Sequence, residues 1–438
     1  MCFSPILLQP SPSLGYEMSE ISNNGTKTLA IEAAACEGAV RWRKGRAMNL
    51  SDMLSYADIG QLSKIAGAYR CECNGNSKNE LIQSILSQVN RHDVFENQIS
   101  SMKLEDLRFL NSLLFESRQS YSLEDLVARV QQSRFGEEKK EAADEPVKKP
   151  KKSKKKAALP PSPREIIVQF KHQGWLFNGF SGPGRYLFQI PSDLKTRFRE
   201  TLRRRFAEQL QYTDEPHMYR DEQGLIQEDI KQLLHYVYHN EVQLITDGSM
   251  YKRSLQQMLD RMGVREELPS KGAWRFGYGR HFNHYPDRFS LLYDYCCSAK
   301  YISEQPDGWL VVEDAGKERL EKPAEADEQE LVYRYWLKLY KGPVANLLSL
   351  VHWIHALAPD WVSVASLREV LVPFIKTYYY DDANAILEAR VLKMMVHLGL
   401  LRIGEHPEHG TVVRMTKAGN AVIDRMARGK DSAGLALH

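Results

Sequence analysis

Apolar positions recur at helical spacing from Met48 onward. Ile59, Leu62, Ile65 and Ala66 share one face, and after a break at 70–76 so do Leu81, Ile82, Ile85, Leu86 and Val89. Ser77 with Glu80 marks a capped start for the second of these helices. Residues 104–115 and 122–130 predict two more, the latter opened by Ser122 and Asp125. Residues 1–47 show no such periodicity and predict a disordered leader, with Met48 as an alternative translation start.

After residue 164 one arrangement repeats: a helix, two short strands around a glycine turn, then a new helix. The last copy predicts a helix at 385–397, strands at 399–403 and 411–415, and a turn at 404–410. An earlier copy predicts a helix at 289–299, a strand at 301–303, a turn at Asp307-Gly308 and a strand at 309–312. A looser copy predicts a helix at 166–172, strands at 175–177 and 186–190, and a turn at 179–184. A helix followed by a two-stranded wing is the mark of a winged helix. The expected fold class is therefore mainly α with small β-hairpin wings (α+β): several winged-helix-like modules behind an N-terminal helical module.

Composition divides the chain further. Lys148, Lys149, Lys151, Lys152, Lys154, Lys155 and Lys156 place seven lysines in nine positions, and prolines follow at 160, 161 and 163. Such a segment cannot bury enough apolar surface to fold. The expected organisation is a leader at 1–47, a helical module at 48–135, a Lys/Pro-rich linker at 136–163, a winged-helix region at 164–320, a helical and winged-helix module at 321–427, and a tail at 428–438. With 438 residues and a net charge of only +3, any nucleic-acid footprint must come from local patches. Six cysteines without a CxxC pair point to a reducing compartment and away from a zinc ribbon. No window carries the roughly 18 apolar residues of a membrane span. The expected setting is cytoplasmic, or nucleoid-associated in a bacterium.

Four segments give the chain a family likeness. They are Phe188-Gln-Ile-Pro191-Ser-Asp193, the stretch from Leu244 through Asp247-Gly248 to Lys252-Arg253, Asp307-Gly308-Trp309 through Gly316, and Val413 through Gly419. Over roughly 165–425 the chain resembles the N-terminal domain of XPB-type DNA helicases and its stand-alone, helicase-associated bacterial relatives. The helix, loop and capped helix at 59–89 resemble the SAP and Rho-N-terminal nucleic-acid-binding motifs. The first resemblance implies DNA handling in repair or transcription, with no activity of its own. A motor would need G-x4-G-K-[ST] to cradle phosphates. Residues 272–277 have the glycine spacing but lack the Lys-Ser/Thr, and Asp214-Glu-Pro-His217 does not cap an apolar strand. No catalytic residue, metal or cofactor is expected.

The candidate nucleic-acid contacts are Lys252 and Arg253, which open a helix after the Asp247-Gly248 turn; Arg197, Arg203, Arg204 and Arg205 on one helix; and Lys151, Lys152, Lys154, Lys155 and Lys156 in the linker. Each basic group also reads as a solvated face. Tyr278, Arg280, His281, Tyr285 and Arg288 mix aromatic and basic side chains, suiting either stacking on a single strand or a packed segment. His235/His239, His352/His355 and His406/His409 are spaced as chance pairs would be. The function expected is a non-catalytic DNA-associated accessory protein that positions duplex or single-stranded DNA or a separate helicase. The alternatives are a winged-helix scaffold for protein partners and a sequence-specific transcription regulator.

Overall fold

Short polar side chains begin the helices. Asn49 accepts from the Asp52 N–H at 2.8 Å, Asp58 from Gln61 at 2.7 Å, Ser77 from Glu80 at 3.4 Å and Ser122 from Asp125 at 3.1 Å. Ser162 and Glu165 form a reciprocal capping box around Pro163. The computed structural model describes residues 48–73, 75, 77–116, 118–135, 161–179, 182–269, 279–322 and 327–427. Helices dominate, and the strands form antiparallel sheets of two, three and four.

The topology repeats three times. In the second copy, helix Leu225–His239, strand Val242–Gln243, helix Lys252–Leu259 and helix Asp287–Ser298 lead to a wing of Ile302–Glu304 and Trp309–Val312. The first strand pairs with the last one, Val242 opposite Leu310. The third copy runs through Leu347–Leu357, Val362–Ser363, Val364–Leu371, a helix at 383–397 that is π-wound over Ile386–Leu392, and a wing of Leu401–His406 and Gly410–Met415. Again the first strand pairs with the last, Val362 opposite Val413. Three helices and a three-stranded sheet in this order define winged-helix topology.

The first copy was not legible as one unit. Its helices are Leu104–Leu114, Leu123–Ser133 and Pro163–His172, and its wing is Phe177–Asn178 with Phe188–Gln189. Its first strand shrinks to Tyr121, which exchanges both backbone hydrogen bonds with Phe188 at 2.7 and 2.8 Å. The boundaries expected at 135 and 164 thus fall inside this module. Residues 136–160 lie outside the described residues, between its second and third helices.

Each third helix ends alike. Two residues past each helix the backbone takes a positive φ, at Gly174 (69°), Lys300 (58°) and Gly399 (69°). The next N–H reaches back five residues: Trp175 to Phe170, Tyr301 to Cys296 and Leu400 to Met395. This double closure satisfies the last carbonyls and aims the chain into the wing. The steps from wing to helix at Ala315-Gly316 and Ala418-Gly419 have a steric cause. A Cβ on Gly316 would stand 2.2 Å from the Tyr301 carbonyl oxygen, and one on Gly419 would stand 2.4 Å from that of Leu400. Only glycine lets the helix after the wing lie this close to the strand.

Four N-terminal helices, Leu50–Tyr56, Ile59–Ala68, Lys78–Asn90 and His92–Ser100, pack on the first winged helix and on helix Ser192–Ala207. Tyr69 joins Trp175 Nε1 and the Gln173 carbonyl, both at 3.1 Å, and the Leu50 N–H donates to Asp193 at 2.9 Å. Strand Tyr219–Asp221 pairs with Leu401–His406, so a strand from before residue 320 extends the sheet of the third module. No helix among the described residues is long and apolar enough to cross a membrane.

Candidate nucleic-acid interface

In a winged helix the third helix and the wing are the surfaces that meet a groove or strand. The three copies expose them unequally. Helix Pro163–His172 buries Ile166, Ile167 and Phe170 and turns Arg164, Glu165, Val168 and Gln169 outward. These outward side chains, with Ala68 and His172, line a shallow hollow. Lys64 is exposed on the adjoining helix, and Lys171 and His172 end the third helix. Burial, then the charges of Lys64 and Lys171, hold the His172 imidazole below its ordinary range. Two carboxylates stand among these cations: Glu165 lies on the same helix and Asp58 acts on Lys171. The wing carries exposed Arg185 and Tyr186.

The second module's third helix is covered by helices Leu225–His239 and Glu328–Tyr340, and its first residue meets the third helix of the third module. Asp287–Ser298 is buried from Arg288 to Cys296. Arg390 and Lys393, on the third module's third helix, reach Asp287 at 3.5 and 3.6 Å. Beneath them lies a buried ion network. Glu222 pairs with His397 at 3.0 Å and lies 3.6 Å from Arg288, whose other side meets Asp229 at 2.5 Å. Burial alone would raise the Glu222 carboxyl, but His397, Arg220 and Arg288 outweigh it and hold the group below its ordinary range. Glu266 closes the start of the buried helix, accepting from the Arg288 and Phe289 N–H groups.

The sequence candidates separate accordingly. Lys252 and Arg253 are exposed at the start of the second module's second helix, where no side chain caps the helix. The arginine helix does not present one cationic face. Arg197 lies over the Phe95 ring at 4.4 Å and donates to the carbonyls of Val89, Asn90 and Arg91, closing the end of helix Lys78–Asn90. Arg204 pairs with Glu96 at 3.4 Å, Arg205 is half-buried, and Arg203 is exposed. Lys151, Lys152, Lys154, Lys155 and Lys156 lie outside the described residues, as does Tyr278. Tyr285 and Arg288 are core residues, and Arg280 and His281 both pair with Glu304, at 3.1 and 2.9 Å. The aromatic and basic mixture around residue 285 is therefore a packed segment.

The histidine pairs also find plain partners. His352 stacks on Phe115 at 4.9 Å and His406 pairs with Asp214 at 2.9 Å, which ties the Asp214-Glu-Pro-His217 segment to the third wing. No group of three or more His, Cys, Asp or Glu among the described residues is arranged to hold a metal ion. Sequence reasoning missed Arg164 and the wing pair Arg185-Tyr186. The signal available was Ser162-Pro163 with Glu165, which marks a helix start and hence which residues follow it on the outer face. Comparison with protein-family models, curated proteins and solved structures finds no match to this chain.

Proposed function

We propose that this protein is a non-catalytic accessory factor that holds nucleic acid through its first winged helix, while the second and third serve as its structural body. The observation that carries this reading is the unequal fate of the three third helices. One turns a row of side chains outward, the second is buried along nearly all its length, and the third is tied to the second through Asp287. Along the chain the lysine-rich run ends at Lys156, eight residues before Arg164, so it adds cations close in sequence to the outward helix. Such a surface binds the phosphate backbone and carries little base readout. A sequence-specific regulator is the weaker reading, because the second module's reading helix is buried from Arg288 to Cys296. The likeness to XPB-type helicase N-terminal domains extends the proposal to work beside a separate helicase.

The test is fluorescence anisotropy with labelled duplex and single-stranded DNA over a range of salt. Replacing all seven lysines at 148–156 by glutamine should flatten the salt dependence on duplex, by about 0.9 in slope for each phosphate no longer neutralised. No binding of the native protein to any DNA or RNA at low salt removes the proposal. The scaffold reading, which the inward packing of the second and third modules favours, would then stand in its place.

A further inference from the structure

A cavity of about 140 Å³ lies where the N-terminal helices meet the first winged helix. Its wall comes from the residues that follow helix His92–Ser100, the first turn of helix Leu104–Leu114, Pro161 and helix Pro163–His172. Arg134 donates to the Pro161 carbonyl and so fixes one side of that wall. Gln169 and Gln173 also border the shallow hollow on the outer face, but the remaining lining differs. The volume is well below the roughly 300 Å³ at which pockets for drug-sized ligands begin. An occupant must be small.

Asp106 lines this cavity and is only 9% exposed. Among the described residues nothing hydrogen-bonds or ion-pairs with its carboxylate. Burial raises the carboxyl above its ordinary range; Lys103 and Arg134 offset part of this and Glu105 adds to it. A carboxylate in such a place is costly to ionise until a cation meets it. Lys103 and Glu105 border the cavity too, and their opposite charges leave Asp106 as the net charge of the wall. No group of three or more His, Cys, Asp or Glu among the described residues is arranged for a metal ion, so a nitrogen cation is the better match for one carboxylate. The rest of the lining includes Met102, Ile166 and Phe170, which suit methylene groups.

From this geometry we infer that the cavity binds a small primary alkylammonium ion, with its charged end on Asp106 and its methylenes against Met102, Ile166 and Phe170. The inference stands apart from the nucleic-acid reading, since it uses neither the outward side chains of the first module nor its wing. A ligand held only by the folded state stabilises that state. Binding here braces the join between the N-terminal helices and the first winged helix.

The experiment titrates butylammonium chloride into the full-length native protein and into Asp106→Asn by calorimetry, with melting followed in parallel. The expected result is binding to the native protein, roughly ten-fold or more weaker binding to the variant, and a rise in native melting temperature beyond that in potassium chloride of equal ionic strength. Tetramethylammonium, which has no N–H donor, and butanol, which has no charge, should bind neither protein. Equal butylammonium binding by both proteins overturns the inference. So does tetramethylammonium binding as tight as that of butylammonium, which would mean diffuse attraction to surface charge. No butylammonium binding by the native protein would make the cavity a hydrated crevice and end the idea. Should Asp106→Asn fail to fold, a crystal structure of the native protein with butylammonium decides instead. Its nitrogen at about 2.8 Å from an Asp106 carboxylate oxygen supports the site, and any other position overturns it.

Discussion

The first winged helix and the pair formed by the second and third use one topology for opposite ends. In the first, the third helix buries three apolar residues and leaves a polar row outside. In the second, the corresponding helix buries nine consecutive residues, among them Arg288 and Asp294, and must find partners for charges removed from water. The joins differ as well. The first and third modules meet through aromatic packing: Phe115 against His352 and Trp353, and Asn111 accepting from Trp353 Nε1 at 2.7 Å. The second and third meet through ions. An aromatic join tolerates loss of a charge, while a buried ionic join depends on every member. Under the proposed reading, the same fold serves as a binding head in one module and a structural block in the others, according to what covers its third helix.

The largest expected effect lies in the ionic join. Arg288→Met leaves Asp229 buried without its cation and takes one of three cations from Glu222, and it should cost about 3–5 kcal/mol in urea unfolding. Adding Asp229→Asn should recover much of it, because the uncompensated charge is gone. A native-like midpoint for the single variant would mean that the modules do not depend on this network, and the contrast would fail.

Next comes the aromatic join, probed by pH. Burial first, then the charges of His355 and Arg199, push His352 down to about 4. The unfolded chain, with an ordinary imidazole near 6.5, binds the proton first as pH falls. Stability from this group is therefore whole above about pH 6.5 and is lost progressively down to about pH 4, on the order of 3 kcal/mol in all. His352→Phe keeps the ring on Phe115 and should remove this part of the slope. Unchanged pH dependence between pH 4 and 7 would show that the imidazole is not sequestered there.

The smallest effect is expected on the outward helix. Arg164→Ala should change stability by no more than about 0.5 kcal/mol. It should weaken binding to DNA of any sequence and lower the salt slope by about one. A large loss of stability would place Arg164 in the packing and take the first module out of the contrast.

Much of this could be read from residues in order. The turns at Asp307-Gly308 and near Gly410, the helices before them and the Ala-Gly steps after them rest on contacts between near neighbours. The first module escaped because its opening strand is one residue long and the lysine segment separates its second and third helices. Arg197 illustrates the limit at the site. Its spacing with Arg204 is that of a solvated cationic stripe, but the end of helix Lys78–Asn90, over a hundred residues earlier, takes its guanidinium.

By itself the sequence determined the helices, the wings and the places where charge accumulates, because periodicity, capping and turn chemistry act over a few residues. The tertiary structure alone decided which third helix faces water and which arginines are consumed. Those outcomes depend on burial between segments far apart in the chain. A charge or a ring has the same local pattern whether another module covers it or not.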